Sequence, residues 1–282
     1  MFDFVSKFDE AGLIARVSSL ENARIMAEEG VGAFLCDDAQ TAKQIKAALP
    51  ELLVGSTELT DGVDFYVGEF GCSSCVEKAR ETGALPVGCA ADTEGAKKVH
   101  EAGADMIAFT NAAENGGFGE LREMIETLPD VHFIVIGGAV GRDYTELEHT
   151  LAWVDEDIDR AEDVRATARE RMYSAIDLNL AHVGINGADE QEAVAVSGAY
   201  SKLLGIKQKI GNSSCFAGSF IEVMKKPFLG ERGHIAFGTC NLRRAIGFYN
   251  RIGVKFNMDT AKPVAIYFAE DIGGFAIHLV QR

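Results

Sequence analysis

The sequence predicts an α/β protein of two domains, a (β/α)8 barrel followed by an α+β domain of paired βαβββ modules. Three observations predict this organisation. A chain of 282 residues corresponds to about two domains at ~150 residues each. Short β-rich runs alternate with amphipathic segments over residues 13–154, a pattern typical of a parallel sheet. Residues 178–282 contain an internal repeat.

The predicted barrel elements are short and alternate along the chain. We place eight strands at residues 13–17, 32–36, 52–56, 64–68, 85–89, 106–110, 132–137 and 151–154. We place helices at residues 20–29, 39–48, 75–82, 93–102 and 118–127, whereas the connection between Gly55 and Asp64 is too short for a full helix. Eight strands with mostly helical crossovers favour a compact TIM-like barrel, and a doubly wound open sheet is the alternative.

Residues 155–177 are predicted to form a charged helix that connects a first domain, residues 1–154, to a second domain, residues 178–282. Acidic and arginine side chains alternate over residues 155–172, and few apolar residues interrupt them. An exposed helix has this composition.

The composition bounds the classes of partner and the cellular compartment. A formal net charge of −16 argues against nucleic acid and anionic membranes, because phosphate surfaces require lysine and arginine. No apolar run approaches the ~18 residues of a transmembrane helix, and the N-terminus does not resemble a secretory signal. Six cysteines are too sparse for a disulfide scaffold. We therefore expect a cytoplasmic protein with reduced thiols and without a nucleotide cofactor.

The internal repeat places chemically active residues at matching positions. Each copy opens with a strand that carries a histidine, crosses through a helix and closes with an alternating strand. Aligning the copies pairs His182 with His234 and Glu222 with His278. A lone histidine on a strand is usually structural, so four matching positions are more informative than any one of them.

This repeat resembles the vicinal oxygen chelate superfamily, which includes glyoxalases, extradiol dioxygenases and bleomycin-resistance proteins. The resemblance covers about residues 178–282 and implies a cupped sheet with metal ligands at His182, Glu222, His234 and His278, although the last position usually carries glutamate. Three imidazoles and one carboxylate suit Zn²⁺, Fe²⁺, Ni²⁺ or Mn²⁺, which can act as a Lewis acid. Structural roles for the four side chains are the alternative.

Four segments of the first half carry a second resemblance. They are Ser19-Leu-Glu-Asn-Ala23 with Ala27-Glu-Glu-Gly-Val31, Leu53-Val-Gly-Ser-Thr57, Glu114-Asn-Gly-Gly117, and Asp130-Val-His-Phe133 leading into Gly137-Gly138. In order and spacing they are similar to the 2-keto-3-deoxy-6-phosphogluconate / 4-hydroxy-2-oxoglutarate aldolases over residues 13–145. The resemblance implies a class I aldolase barrel, in which a strand-six lysine forms a Schiff base with a 2-oxo acid and a strand-two glutamate moves the proton.

Both catalytic positions of that family are occupied by other residues in this chain. Ala108 stands at the position that matches the lysine, and Cys36 stands at the position that matches the glutamate. Imine chemistry requires an amine at the substrate carbonyl. The lysines of the barrel elements all fall on predicted helices: Lys43, Lys46, Lys78, Lys97 and Lys98. We therefore expect that the family's imine mechanism is absent.

The resemblance also implies substrate binding by Thr57, Gly137 and Gly138. The glycine pair can present backbone N–H groups to an anion, and an ordinary turn is the alternative. The segment Asp155-Glu-Asp157 takes the place of the family's glycine-rich loop after strand eight, and its charges repel a phosphate dianion.

Four cysteines are predicted at the rim of the barrel where the strands have their carboxyl ends: Cys36, Cys72, Cys75 and Cys89. Cys72 and Cys75 form a C-x-x-C motif at the start of a predicted helix, where the helix dipole favours a thiolate. Three interpretations stay open, which are plain buried or capping cysteines, reactive or redox thiols at Cys72 and Cys75, and a zinc site.

The leading functional hypothesis is an aldolase-family protein of small oxo-acid or sugar-acid metabolism, with metal-assisted chemistry in the second domain. The first alternative is an active 2-oxo-acid aldolase that uses an unrecognised lysine or a metal-dependent route through Cys36, Asp37, Asp38 and Glu69. The second alternative is a non-catalytic small-molecule binding or regulatory protein. The aldolase resemblance also implies a homo-oligomer.

Overall fold

The structure, a computed structural model, describes residues 2–137 and 141–282. Within these residues no helix is both long and apolar enough to cross a membrane. The chain divides into two compact units, which are Met1–Ala175 with Ile246–Ile252, and Ile176–Ala245 with Gly253–Arg282.

The first unit contains a closed barrel of eight parallel strands, in which each strand pairs with its sequence neighbours and the eighth with the first. The strands are β1 (Leu13–Arg16), β2 (Ala33–Cys36), β3 (Leu53–Ser56), β4 (Phe65–Gly68), β5 (Leu85–Ala90), β6 (Met106–Phe109), β7 (His132–Ile136) and β8 (Thr150–Asp155). The predicted barrel is therefore confirmed over the open sheet, and no predicted strand end differs by more than one residue.

The first unit contains seven α-helices among the described residues up to 176, and polar side chains cap the beginning of several of them. They are α1 (Phe2–Ala11), α2 (Leu20–Glu28), α3 (Ala39–Ala48), α4 (Ser73–Glu81), α5 (Thr93–Glu101), α6 (Gly117–Thr127) and α7 (Val164–Ile176). Ser19, Asp38 and Asp92 accept hydrogen bonds from backbone N–H groups three residues ahead and so cap α2, α3 and α5.

Helix α1 was not predicted, yet it contributes to the core of the barrel. Its Phe8 is fully buried among the side chains inside the barrel, and its ring lies 5.0 Å from that of Phe65. A Cβ atom added at Gly55 would lie 2.2 Å from the Phe65 ring, so the glycine makes room for this contact.

The charged segment after the barrel differs from the predicted connecting helix. Asp155 belongs to β8, a short 3-10 helix covers Ile158–Arg160, and α7 begins at Val164. One face of α7 is buried, because Ala168 and Met172 are 0% exposed. Arg165 and Arg169 of α7 each contact the Glu29 carboxylate at 2.7 Å. The helix therefore packs within the first unit.

The second unit contains an eight-stranded mixed sheet with strand order β10-β11-β12-β9-β13-β16-β15-β14. Its elements are β9 (Asn179–Asn186), α8 (Glu190–Leu204), β10 (Gln208–Ile210), β11 (Ser214–Ala217), β12 (Ile221–Met224), β13 (His234–Thr239), β14 (Phe256–Lys262), β15 (Ala265–Phe268) and β16 (Ala276–Gln281). Helix α9 (Leu242–Arg251) lies between β13 and β14 in the chain, and its residues from Ile246 onward belong to the first unit. The succession strand, helix and three strands occurs twice, and the opening strands β9 and β13 pair antiparallel at the centre of the sheet.

Candidate functional site

Four side chains from four neighbouring strands meet on one face of the second sheet. They are His182 of β9, Glu222 of β12, His234 of β13 and His278 of β16, and we call this group the imidazole site. Gly184 of β9 pairs with both Glu222 and His234. Ala236 of β13 pairs with both His182 and His278. Side chains two residues apart on a strand point to the same face, so this register brings all four predicted residues together.

The polar atoms of the imidazole site lie within a few ångströms of one another. The Nε2 atoms of His182 and His234 are 3.2 Å apart, and the Glu222 Oε2 atom lies 3.1 Å from each of them. One ring nitrogen from each of the three histidines lies within 4.8 Å of the other two. No other group of three or more histidine, cysteine or acidic ligands is found among the described residues.

These separations fit a shared metal ion. Two atoms bound at ~2.1 Å to one ion lie about 3.0 Å apart at a right angle and about 3.4 Å apart at the tetrahedral angle. The observed separations of 3.1 and 3.2 Å lie between these values. The same distances also suit hydrogen bonds from two imidazole N–H groups to the carboxylate, so the distances leave both arrangements open.

The third imidazole, His278, differs from the other two in its hydrogen bonding. It is 6% exposed, and neither of its ring nitrogens has a hydrogen-bond partner among the described residues. Burial, reinforced by His234 and His182, lowers the pKa of His278 to about 3, so its ring is neutral near pH 7 and keeps a lone pair. Buried polar atoms are rarely left without a partner, and a structural histidine would normally have one. An unpaired lone pair beside two other imidazoles is what a metal ligand requires.

Glu222 supplies the negative charge of the imidazole site. Burial opposes its ionisation, but hydrogen bonds from His182, His234 and Ser214 outweigh burial and hold its pKa well below the ordinary range. The carboxylate is therefore ionised at neutral pH, and three nitrogen donors with one anionic oxygen match the preference of late divalent metals.

Two further residues shape the imidazole site and were not predicted. A Cβ atom added at Gly184 would lie 2.0 Å from Cε1 of His234, so this glycine provides the space that the His234 ring occupies. The Tyr267 ring stacks on His278 with centroids 4.4 Å apart and planes 11° apart, which fixes the orientation of the imidazole. Gly184 follows His182 by two residues on the same strand, and that spacing is the sequence signal that could have identified it.

The two family positions in the barrel lie in a closed environment. Ala108 of β6 is 0% exposed and belongs to the cluster of side chains inside the barrel. Cys36 is also fully buried, and burial, together with Asp38, Asp37 and Asp159, raises the pKa of its thiol to about 12. A thiol that stays protonated at neutral pH cannot accept a proton as a glutamate would.

Every lysine of the first unit lies on a helix, as the sequence predicts for the five named lysines. Lys43 contacts Asp61 at 2.5 Å, Lys46 contacts Asp64 at 2.8 Å, and Lys98 contacts Glu94 at 3.7 Å. None of the eight barrel strands contains a lysine.

The barrel mouth, defined as the carboxyl ends of β1–β8, carries anion-binding groups that the chain itself occupies. The Arg16 guanidinium donates to Asp37 and to Glu156, each at 2.5 Å. The Thr57 hydroxyl donates to the backbone carbonyl of Asp37 at 3.2 Å. Asp159 accepts from the backbone N–H and the hydroxyl of Ser18. A cleft of about 270 Å³ at this mouth is lined by four carboxylates and by the two guanidinium groups of Arg16 and Arg160.

The backbone N–H groups of the loop after β8 are also paired with a carboxylate of the chain itself. The Asp155 carboxylate accepts hydrogen bonds from the N–H groups of Asp157 and Ile158 at 3.0 and 3.2 Å, and from Arg171 at 3.0 Å. These backbone donors are therefore already used. Gly137 follows β7 with a φ of +88°, whereas Gly138 lies outside the described residues.

The cysteines of the rim do not form one cluster. Cys72 and Cys75 are exposed, with their sulfur atoms 3.3 Å apart, and Cys36 is buried. No three of the four thiols lie close enough to share a metal ion, so the predicted alternative of a four-thiol zinc site is wrong. The route through Cys36, Asp37, Asp38 and Glu69 is likewise not brought together as a ligand group.

Comparison with known proteins shows the fold of the first unit. No family model matches the sequence, and no curated protein matches it. Among solved structures, a 2-keto-3-deoxy-6-phosphogluconate aldolase from Zymomonas mobilis ATCC 29191 is similar with a TM-score of 0.51 and 20% identity, over 61% of this chain and 96% of that chain. A 4-hydroxy-2-oxoglutarate / keto-deoxy-phosphogluconate aldolase has a TM-score of 0.52 and 20% identity, over 61% of this chain and 98% of that chain.

The same aldolase from Zymomonas mobilis ZM4, solved with 3-phosphoglycerate, has a TM-score of 0.51 and 19% identity, over 61% of this chain and 94% of that chain. At such identities the similarity concerns the fold. The N-terminal part of the chain therefore has an aldolase-like TIM barrel.

Proposed function

We propose that the second unit binds one divalent metal ion through His182, Glu222, His234 and His278 and uses it to bind and activate a small oxo acid. The observation that carries the proposal is the buried His278 imidazole, whose two ring nitrogens have no partner among the described residues. One nitrogen of this ring lies within 4.8 Å of a ring nitrogen of His182 and of His234, and the ionised Glu222 carboxylate contacts those two imidazoles at 3.1 Å. Four separate strands supply the four groups.

Each residue of the imidazole site has a distinct role in this proposal. These groups would hold a divalent ion, and such an ion would supply a Lewis acid toward a carbonyl oxygen of the ligand. The three imidazoles donate lone pairs, and Glu222 lowers the net positive charge of the centre. Tyr267 holds the plane of the His278 ring by stacking. Gly184 leaves the space that the His234 ring needs.

The order of elements in the second unit supports the resemblance to the vicinal oxygen chelate superfamily. The succession βαβββ occurs twice, and the four ligand positions lie on the first and last strands of each module. We propose that the second unit is a member of that superfamily, and that its ligand carries two adjacent oxygen atoms, as a 2-oxo acid does.

The fold neighbours of the barrel are named for aldolases of keto acids, and this supports small oxo acids or sugar acids as the ligand class. We do not assign imine chemistry to the barrel, because Ala108, which the sequence resemblance matches to the family's lysine, is buried and the lysines of the first unit lie on helices. Borohydride reduction in the presence of pyruvate should therefore leave the mass of the protein unchanged. A covalent pyruvate adduct would instead support the active-aldolase alternative.

Metal binding to the full chain is the direct test. Metal-free protein is titrated with Zn²⁺, Ni²⁺ or Mn²⁺ by calorimetry, and the expected stoichiometry is one ion per chain. Changes in groups that merely orient a ligand weaken metal binding about 10–100-fold. Loss of a ligand itself, in His182→Ala or His278→Ala, should weaken it more.

His100→Ala is the matched control, because it removes an exposed imidazole from α5 in the first unit. It should bind metal as the unaltered protein does. The proposal is wrong if the unaltered protein binds none of the three ions, or if His100→Ala weakens binding as much as His278→Ala. Turnover of 2-oxo acids by the metal-loaded protein then separates an enzyme from the non-catalytic binding alternative.

A further inference from the structure

We propose that Cys72 and Cys75 form a redox-active dithiol that is oxidised to a disulfide by thiol–disulfide exchange with a low-molecular-weight disulfide. This inference concerns the first unit and is independent of the proposed metal site. It rests on the placement of two exposed thiols at the beginning of a helix and on the cleft beside them.

The two thiols are placed for bond formation with each other. Cys72 is the N-cap residue of α4, and the N–H of Cys75 donates to the Cys72 carbonyl at 3.1 Å, which closes the first turn. The sulfur atoms lie 3.3 Å apart, in contact, and both residues are exposed. A disulfide bond of about 2.05 Å therefore requires the two sulfurs to approach by about 1.3 Å.

The groups around the two thiols shift their pKa values in opposite directions and so give them different roles. The Cys72 sulfur contacts the Ser74 hydroxyl at 3.1 Å as well as the Cys75 thiol, and these hydrogen bonds lower the pKa of Cys72 to about 7. The same contact with Cys72 raises the pKa of Cys75. The N-terminus of α4 further favours a thiolate at Cys72. Cys72 is thus the attacking thiolate, and Cys75 is the resolving thiol that holds the proton.

A cleft of about 750 Å³ borders Cys72 and can receive the oxidant. Its charged lining consists of four carboxylates and one ammonium group: Glu69, Asp92, Glu94, Glu101 and Lys98. This excess of negative charge favours a cationic disulfide over an anionic one. Cystamine, a diamine disulfide, is therefore the probe.

The reaction balances with cystamine as the named oxidant. The Cys72 thiolate attacks one sulfur of cystamine, the disulfide bond of cystamine breaks, and one cysteamine leaves and takes up a proton. Cys75 then loses its proton to water and attacks the Cys72 sulfur of the mixed disulfide, and the second cysteamine leaves with a proton. The dithiol loses two electrons in forming the protein disulfide, and one cystamine is reduced to two cysteamines.

The first measurement is the rate of Cys72 alkylation by iodoacetamide in the full chain as a function of pH. The rate should reach half its maximum near pH 7. At that pH Cys72 should react about fivefold faster than an ordinary thiol, since its larger thiolate fraction outweighs its lower intrinsic nucleophilicity. A half-maximum near pH 9 would overturn the proposal.

The second measurement is peptide mapping by mass spectrometry after treatment with cystamine. The unaltered protein should yield a Cys72–Cys75 disulfide, Cys75→Ser should retain one cysteamine on Cys72, and Cys72→Ser should yield neither product. Cys89→Ser is the matched control, because Cys89 lines the same cleft but burial raises the pKa of its thiol to about 11. It should react as the unaltered protein does. A lasting mixed disulfide in the unaltered protein, or no oxidation at all, would overturn the proposal.

Discussion

At the barrel mouth the guanidinium of Arg16 contacts the carboxylates of Asp37 and Glu156. In the imidazole site, by contrast, the two ring nitrogens of His278 are buried and have no hydrogen-bond partner among the described residues. The mouth has the polar groups that an anion-binding site needs, but the chain's own acidic side chains already occupy them. In the imidazole site the neutral His278 ring has one lone pair and one N–H group, and neither has a partner among the described residues.

This difference separates a region whose polar groups pair with one another from a region that contains an unpaired buried imidazole. Pairing each polar group with an internal partner removes the cost of an unsatisfied group, and it also removes the reason for a ligand to bind. Leaving a buried imidazole unpaired costs stability, which is compensated when a ligand or metal ion binds the native state. Sites that violate local rules of satisfaction are expected to be functional ones.

The largest expected effect concerns the interior of the barrel. Ala108→Lys introduces an amine at the position that the sequence resemblance matches to the aldolase family's lysine. Ala108 is fully buried among apolar side chains, and Cys36 offers no carboxylate to balance the charge. We expect a loss of at least about 3 kcal/mol in the free energy of unfolding, from overpacking and from an unpaired ammonium group. Denaturant unfolding measures this loss.

Ala108→Met is the matched control, since methionine adds a long side chain without a charge. It should lose about 1–3 kcal/mol from overpacking alone. If the lysine variant were as stable as the methionine variant, the ammonium group would have access to water. The barrel interior at this position would then be open to a substrate, and Ala108 would not lie in a closed apolar core.

The next effect concerns the space that Gly184 provides in the imidazole site. Gly184→Ala places a Cβ atom about where the His234 ring lies, at 2.0 Å from Cε1, so the ring must move. The four ligand side chains stay chemically unchanged. We expect metal affinity to fall about 10–100-fold, as for other changes that misplace a ligand, and calorimetric titration with Zn²⁺ or Ni²⁺ measures it.

Gly198→Ala provides the matched control within the same unit. Gly198 lies in α8, and a Cβ atom there would lie 3.5 Å from the nearest side-chain atom, which is ordinary contact. It should leave metal affinity unchanged and stabilise the helix by up to about 1 kcal/mol. Equal metal affinity for Gly184→Ala and the unaltered protein would show that the position of the His234 ring does not matter, and His234 would no longer be a ligand.

The sequence predicted local structure well and tertiary neighbours less well. The barrel strands were found because apolar β-rich runs mark each of them, and the repeat predicted the four residues that meet on the second sheet. Helix α1 was missed because its burial depends on Phe8 reaching Phe65 across the barrel core. Tyr267 was missed because its role depends on lying opposite His278 on the neighbouring strand.

The charged segment after the barrel, residues 155–172, also shows that local sequence does not predict tertiary partners. Its composition is that of an exposed helix, but the first carboxylate, Asp155, turns back to accept hydrogen bonds from Asp157 and Ile158. Helix α7 begins at Val164, where the Asp163 carboxylate accepts a hydrogen bond from the Ala166 N–H at 2.9 Å. Arg165 and Arg169 then contact Glu29, a residue more than a hundred positions away in sequence, and no local pattern indicates that partner.

The smallest expected effect concerns the barrel mouth, where Asp37→Asn with Glu156→Gln removes both charges that occupy Arg16. These side chains are partly exposed, so the free energy of unfolding should change by less than about 1 kcal/mol. Arg16 would then be free to bind a carboxylate such as pyruvate, with a Kd on the order of 1 mM, or about −4 kcal/mol.

In the unaltered protein pyruvate must displace two carboxylates that are held 2.5 Å from the guanidinium, so its binding should be weaker by about tenfold or more. Calorimetric titration with pyruvate compares the two proteins. Adding Arg16→Met to the double variant should abolish the gain, because the gain depends on the freed guanidinium. If pyruvate binds the unaltered protein as tightly as the double variant, the internal carboxylates do not compete with it, and the barrel mouth is a ligand site in its own right.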